Sequence, residues 1–288
     1  MPPRPRALVP LALVLALAFP VGRASAAGSS AVAALQVALQ ARLLYDGAID
    51  GVAGPDTTAA VAAFQRRHRL RADGVVGAQT RAALGGYGQH VLGSRPVMRG
   101  AFGWDVAELQ FLLAWHGYPS GPFDGRFGRH VAAALRRFQA YAGLRPDGIA
   151  ADSTFRALRA PLPRSPIRLA WPLHGAFGDR FGPRGNHFHA GLDLLAPAGA
   201  PVAAAGAGRV VWAGFRPGGW GLLVTIAHRH GVRSMYAHLS RVEVRLGQVV
   251  AAGQAIGLVG ASGNATGPHL HFELRVRGAA VDPLTALR

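Results

Sequence analysis

Residues 35–84 read LQVALQARLLYDGAIDGVAGPDTTAAVAAFQRRHRLRADGVVGAQTRAAL, and residues 109–158 read LQFLLAWHGYPSGPFDGRFGRHVAAALRRFQAYAGLRPDGIAADSTFRAL. The two align without a gap. Leu35-Gln36 returns as Leu109-Gln110, Asp50-Gly51 as Asp124-Gly125, Phe64-Gln65 as Phe138-Gln139, Asp73-Gly74 as Asp147-Gly148 and Thr80 as Thr154, always 74 residues on. One offset shared by five separated pairs marks an internal duplication. Val32, Leu35, Leu39 and Leu43 recur at the three- and four-residue spacing that one buried helix face requires. A turn is expected over 46–55, a second helix from Asp56 or Thr57, and a third, short helix through Thr80 to Leu84. The Asp-Gly pairs mark turns, since glycine accepts backbone angles that a Cβ resists. Each copy therefore reads as a small three-helix unit, bounded at 29–86 and 104–160.

Beyond the second copy, Ala160-Pro161-Leu162-Pro163-Arg164-Ser165-Pro166 has three prolines in a short stretch. It reads as an extended linker, assigned to 161–170. From Trp171 to the C-terminus the period becomes strand-like. Gly208–Gly214, Gly221–Ile226, Val242–Val250, Ala255–Val259 and Leu270–Val276 are β-prone runs bounded by glycine and other turn residues. The expected fold is multidomain: two all-α three-helix modules followed by a mainly antiparallel β-domain over 171–288.

Upstream, Arg4 and Arg6 precede an apolar run from Ala7 to Phe19, and Ala24-Ser25-Ala26 offers small residues for cleavage. That is the plan of a secretory signal peptide, assigned to 1–26. The run falls short of the roughly 20 apolar residues of a membrane span, so no stable span is expected after cleavage. The protein is expected to be secreted, extracellular or wall-associated, and periplasmic where the source has an outer membrane. The chain has 288 residues, no cysteine and a formal net charge of +17, all its basic side chains other than histidine being arginine. Disulfides and thiolate metal ligands are thereby excluded. The charge favours polyanions such as wall carboxylates and phosphates. Nucleic acid is not expected, because no basic helix, zinc finger or aromatic RNA-binding signature accompanies the charge.

Seven of the 12 histidines lie between His187 and His271. His189-Ala190-Gly191-Leu192-Asp193 forms H-x-G-x-D, and Pro268-His269-Leu270-His271 ends in H-x-H. Residues two apart on a strand share a face, so His269 and His271 can enter one cavity. Two imidazoles and a carboxylate suit Zn²⁺ and leave a fourth coordination position open, although other metals accept the same donors.

The helical copies resemble the peptidoglycan-binding module attached to many wall hydrolases. The second departs at Ala151, in place of Gly77, and at Arg129-His130, in place of Pro55-Asp56. That resemblance implies bacterial peptidoglycan as the partner. The aspartates themselves read as turn and cap residues. FGPRGNHFHAGLDLLAPAGAPVAAAGAGRVVWAG, GVRSMYAHLS and GQAIGLVGASGNATGPHLHFEL, in that order, resemble the lysostaphin-type zinc endopeptidases over about two-fifths of the chain. The resemblance implies one zinc held by His189, Asp193 and His271, with His238 and His269 as the catalytic histidines. It implies a secreted metalloendopeptidase cutting peptide cross-links. His269 is the better candidate for orienting or deprotonating water, and His238 for the oxyanion or the leaving amine, although the two roles are interchangeable. Arg184 is a candidate for a substrate carboxylate, or a solvated loop residue. His228 and His230 read as supporting or surface groups. A non-catalytic activator and a zinc carboxypeptidase of the wall remain the alternatives.

Overall fold

The computed structural model describes residues 28–288, so the signal peptide expected in 1–26 lies outside the described residues. The duplication is visible in the helices. α1 (Ser30–Gln40), α2 (Pro55–Arg67) and α3 (Ala78–Ala83) are followed by α4 (Trp104–Trp115), α5 (Arg129–Tyr141) and α6 (Asp152–Ala157). Each helix of the second module starts 74 residues after its counterpart. Proline opens α2, where its missing N–H costs no hydrogen bond, and Ser29 caps α1 through its side chain. Among the described residues, no helix is long and apolar enough to cross a membrane.

One device recurs four times. The Gln36 amide donates to Asp50, to the Val52 carbonyl and to Thr57, while its oxygen accepts from Gly51 N–H. Gln65 binds Asp73, Val75, Thr80 and Gly74 in the same way, and Gln139 binds Asp147, Ile149, Thr154 and Gly148. Gln110 repeats it with Asp124, Arg126 and Gly125. Val131 stands where the threonine would be, and Pro122 O takes the vacated donor. Each glutamine is buried and locks the turn leading to the next helix. The aspartates are thus turn residues.

The β-domain consists of β1 (Ala176–Phe177), β2 (Gly182–Arg184), β3 (His187–His189), β4 (Leu192–Leu195), β5 (Pro201–Ala203), β6 (Gly208–Arg216), β7 (Gly221–Ala227), β8 (Val232–Val242), β9 (Val249–Val250), β10 (Ala255–Val259), β11 (His269–Val276) and β12 (Ala279–Val281). The main path through the antiparallel sheet is β1-β4-β11-β8-β7-β6-β9. β10 joins β5 to β8, and β12 pairs with β11. β2 and β3 form a separate two-stranded hairpin. The strand expected at Val242–Val250 is corrected: β8 ends at Val242, and a turn follows. There the Gln248 side chain accepts from Arg245 N–H, and Gly247 takes a positive φ. Ile167 and Leu169, inside the stretch read as a linker, are buried in the core of this domain, and Leu169 bridges to Leu287.

Candidate metal centre

Strand alternation builds the centre from β11. Leu270, Phe272 and Leu274 face the core and are fully buried, while His269, His271, Glu273 and Arg275 take the opposite face. β4 does the same, sending Leu192 and Leu194 inward and leaving Asp193 on the side of the centre. Asp193 sits directly opposite His271 in the β4–β11 ladder. The third side chain, His189, arrives from the β2–β3 hairpin.

Asp193 Oδ1 lies 2.7 Å from His271 Nδ1 and 3.2 Å from His189 Nε2, and the two imidazole nitrogens are 3.0 Å apart. A tetrahedral zinc with bonds of about 2.0–2.1 Å sets its ligands roughly 3.3 Å apart. The three donor atoms therefore fit that ion once their separations widen by about 0.1–0.6 Å. The remaining ring nitrogens fix the tautomers. His189 Nδ1 lies 2.9 Å from Arg180 O, a pure acceptor, so it carries the proton and leaves Nε2 free as a donor atom. His271 Nε2 faces Glu273 Oε1 at 3.4 Å, which leaves Nδ1 free. Glu273 is in turn paired with Arg275 at 2.7 Å. Burial would raise the Asp193 carboxyl, but without an ion in place the adjacent His189 and His271 rings outweigh it and hold the group far below the usual range. Burial likewise opposes protonation of His271, yet Asp193 and Glu273 together raise its pKa. Glu273 is lowered, because Arg275 and His271 overcome its burial.

Two further imidazoles point at the same space. His269 Nδ1 donates to Gly267 O at 2.9 Å, and His238 Nδ1 donates to Ser262 O at 2.8 Å. In its neutral form each ring therefore offers Nε2 as an acceptor, and the rings are 4.8 Å apart. His269 Nε2 is 3.8 Å from Asp193 Oδ1. Burial depresses the His238 pKa, the hydrogen bond to Ser262 opposes this, and His271 and His269 add to the depression. His238 occupies a β-bulge. Opposite Leu222 and Val224 on β7 stand Leu239 and Tyr236 on β8, so that Ala237 and His238 together oppose the single residue Leu223. The extra residue lets Tyr236 and Leu239 both reach the core while His238 turns to the centre, at φ 60°.

The centre floors a groove of about 590 Å³ walled by Trp220, Asn264, Thr266, Gly178 and Asp179. Arg184 lines its rim and is ion-paired with Asp179 at 2.8 Å, both half-exposed. His187 is exposed beside the hairpin turn. His228 lies elsewhere, between Ala207 O and Ser234, and exposed His230 shapes a turn at φ 59°. Glu273 and Arg275 were absent from the sequence reading, although strand alternation after H-x-H places both on the face of the centre. The carbonyls of Arg180, Ser262 and Gly267 have no signature in residue type.

Residues 187–283 match peptidase family M23, and residues 28–84 and 103–158 each match a peptidoglycan binding domain. The chain is 45% identical over 97 residues to the DD-carboxypeptidase/endopeptidase Mpg of Neisseria meningitidis, covering 34% of this chain and 22% of that protein. It is 38% identical over 152 residues to the peptidoglycan DD-endopeptidase ShyA of Vibrio cholerae, covering 50% of this chain and 34% of that one. The chain thus spans between a fifth and about a third of these two relatives' lengths. Among solved structures, the catalytic domain of the antimicrobial peptidase lysostaphin from Staphylococcus simulans aligns at 34% identity and a TM-score of 0.37. That alignment covers 38% of this chain and 90% of the lysostaphin domain.

Proposed function

We propose, for a chain that joins an M23-family peptidase domain to two peptidoglycan-binding domains, that the protein is an exported zinc endopeptidase cutting peptide cross-links of bacterial peptidoglycan. The observation that carries this reading is the convergence of His189 Nε2, Asp193 Oδ1 and His271 Nδ1, with two acceptor-oriented histidines alongside. Zinc held by those three atoms supplies a Lewis acid for the scissile carbonyl and lowers the pKa of water toward about 7. His269 Nε2, the nearer of the two to Asp193 Oδ1, accepts the proton of the attacking water. That proton then passes from His269 to the neighbouring His238, whose pKa burial depresses, and from there to the leaving amine; while it carries the proton, His238 stabilises the developing oxyanion. The groove admits an extended peptide, and the helical modules hold the protein on the wall. The N-terminal segment read as a signal peptide supports export.

The test is digestion of purified wall with product analysis by mass spectrometry. Internal cross-link cleavage is expected, abolished by chelation and restored by zinc, and lost in His189→Ala and His269→Ala. Activity that survives both substitutions overturns the reading. Release of a terminal amino acid alone identifies a carboxypeptidase instead.

A further inference from the structure

Two of the three donor atoms come from one continuous sheet: Asp193 and His271 sit opposite each other in the β4–β11 ladder. His189 does not. It belongs to the β2–β3 hairpin, which shares no strand pairing with that sheet. Its place in the centre is set on one side by the two residues that join it to β4 and by the bond from Asp193 N–H to Asp179 O. On the other side it is set by what the hairpin packs against, which is largely the helical half of the chain.

Both turn carbonyls of the hairpin accept hydrogen bonds from the modules. Ile49 N–H of the first module donates to Gly185 O at 2.9 Å, and Phe123 N–H of the second donates to Asn186 O at 2.7 Å. Behind the turn, Trp115 at the end of α4 meets Phe188 with ring centres 5.3 Å apart and Phe181 at 6.2 Å, both edge-on. The two phenylalanines are themselves 5.0 Å apart. Phe188 belongs to the same buried cluster as Phe111, Phe123 and Phe64 of the modules. The Trp115 indole N–H has no acceptor among the described residues, so ring contacts alone seat it. The position of the two phenylalanines is what matters. Phe188 immediately precedes His189, and Phe181 immediately follows Arg180, whose carbonyl orients the His189 ring. One indole thus braces both members of that pair from behind. A second contact holds the module in register: Ala280 N–H of β12 donates to Gly117 O, two residues after Trp115.

We infer that the peptidoglycan-binding modules are part of the metal centre, with Trp115 as the positioning residue that holds His189 in ligating geometry. The inference rests on the proposed zinc chemistry and adds that metal affinity depends on a residue of the binding half. A purely structural Trp115 would set the stability of its module and leave metal affinity unchanged.

The experiment measures zinc affinity of the full chain by competition with a chelator of known affinity, at a temperature where every variant is folded. It also measures amide hydrogen exchange over 186–189 in metal-free protein. Trp115→Ala is expected to weaken zinc binding by about 10–100-fold, the range found when a group orienting a ligand is removed, and to speed exchange in the hairpin. Trp115→Phe, which keeps a ring in place, restores most of both. Leu135→Ala, a cavity in the separate core of the second module, lowers stability without moving either readout. Should Trp115→Ala not fold, Phe181→Leu removes one of the two ring contacts from the other side and carries the same comparison. Unchanged zinc affinity and exchange in the Trp115 or Phe181 variant overturn the inference, as does an equal loss in Leu135→Ala. A wild type that takes up no zinc refutes the proposed function, and the exchange comparison then still decides whether Trp115 holds the hairpin.

Discussion

Replacing His238 by glycine and by alanine should separate what its side chain does from what its backbone costs. Among the five candidate site residues, only His238 has a positive φ, 60°, and it holds that angle inside a strand. A side chain in the left-handed region costs about 1–2 kcal/mol because its Cβ crowds the following carbonyl. Alanine keeps that Cβ; glycine does not. Glycine also loses more unfolded-state entropy on folding, by about 0.5–1 kcal/mol. Both variants lose the imidazole, its hydrogen bond to Ser262 and its ring contacts, so those terms cancel between them. His238→Gly is therefore expected to be more stable than His238→Ala by about 0.5–1 kcal/mol, the reverse of the usual order on a strand. Urea unfolding of chelator-treated protein, with zinc binding removed from the balance, measures the difference. Hydrolysis of cross-linked wall should fall by about 10²–10⁴-fold in both, as expected for loss of a positioned acid or base. Equal stability, or an alanine variant more stable than the glycine one, refutes the strain argument. Full activity in either refutes the role of the ring.

Glu273→Gln keeps the shape of a buried side chain but removes the charge that faces His271 and pairs with Arg275. Zinc affinity should drop by about 10-fold or more while helix content is unchanged, as read by chelator competition and circular dichroism. Burial lowers the pKa of His116, on the second module, and of His228, on the β-domain, in each case against a hydrogen bond to a backbone carbonyl. The unfolded chain then binds more protons below its own histidine pKa of about 6.5. Stability should be full above that pH and decline as the pH falls through it. In thermal melts from pH 7.5 to 5, His116→Leu should show a shallower decline than wild type, and identical slopes would count against the assignment. Gln65→Leu takes one partner each from Asp73, Gly74 and Thr80; exposed Asp73 keeps its bond from Val75 N–H, whereas Thr80 is buried, and a buried group left unpaired costs about 1–3 kcal/mol. The first module should melt well before the rest, with wall pelleting reduced.

The duplication was legible because it is a matter of spacing. The offset that joins Leu35-Gln36 to Leu109-Gln110 also separates the starts of all three helix pairs. A finer repeat went unread: DGVAGPDT at 50–57 and DGVVGAQT at 73–80 are the same turn, each closed by a glutamine of the preceding helix. The distance from glutamine to aspartate differs within a module, 14 residues for Gln36 and 8 for Gln65, which hides the pattern from a fixed-period search. In the β-domain, H-x-G-x-D and H-x-H singled out side chains that alternation then carries to one face. The bulge at His238 was not legible, since Tyr-Ala-His-Leu has no glycine to announce a positive φ. Nor was the bracing of the hairpin. Trp115 ends an apolar helix and reads as core, and nothing local tells which domain supplies the rest of that core.

The clamp on the Gly185-Asn186 turn also limits the reach of the protein. Modules on a loose tether would let a blade sweep a volume set by linker length, engaging bonds at many distances from the point of attachment. Here one hydrogen bond from each module fixes the hairpin, and Ile167 and Leu169 draw the connecting segment into the β-domain. Under the proposed function, attachment and cleavage then lie on one hydrogen-bonded frame rather than at the two ends of a tether. Simultaneous engagement becomes a question of geometric match with the mesh rather than of polymer averaging.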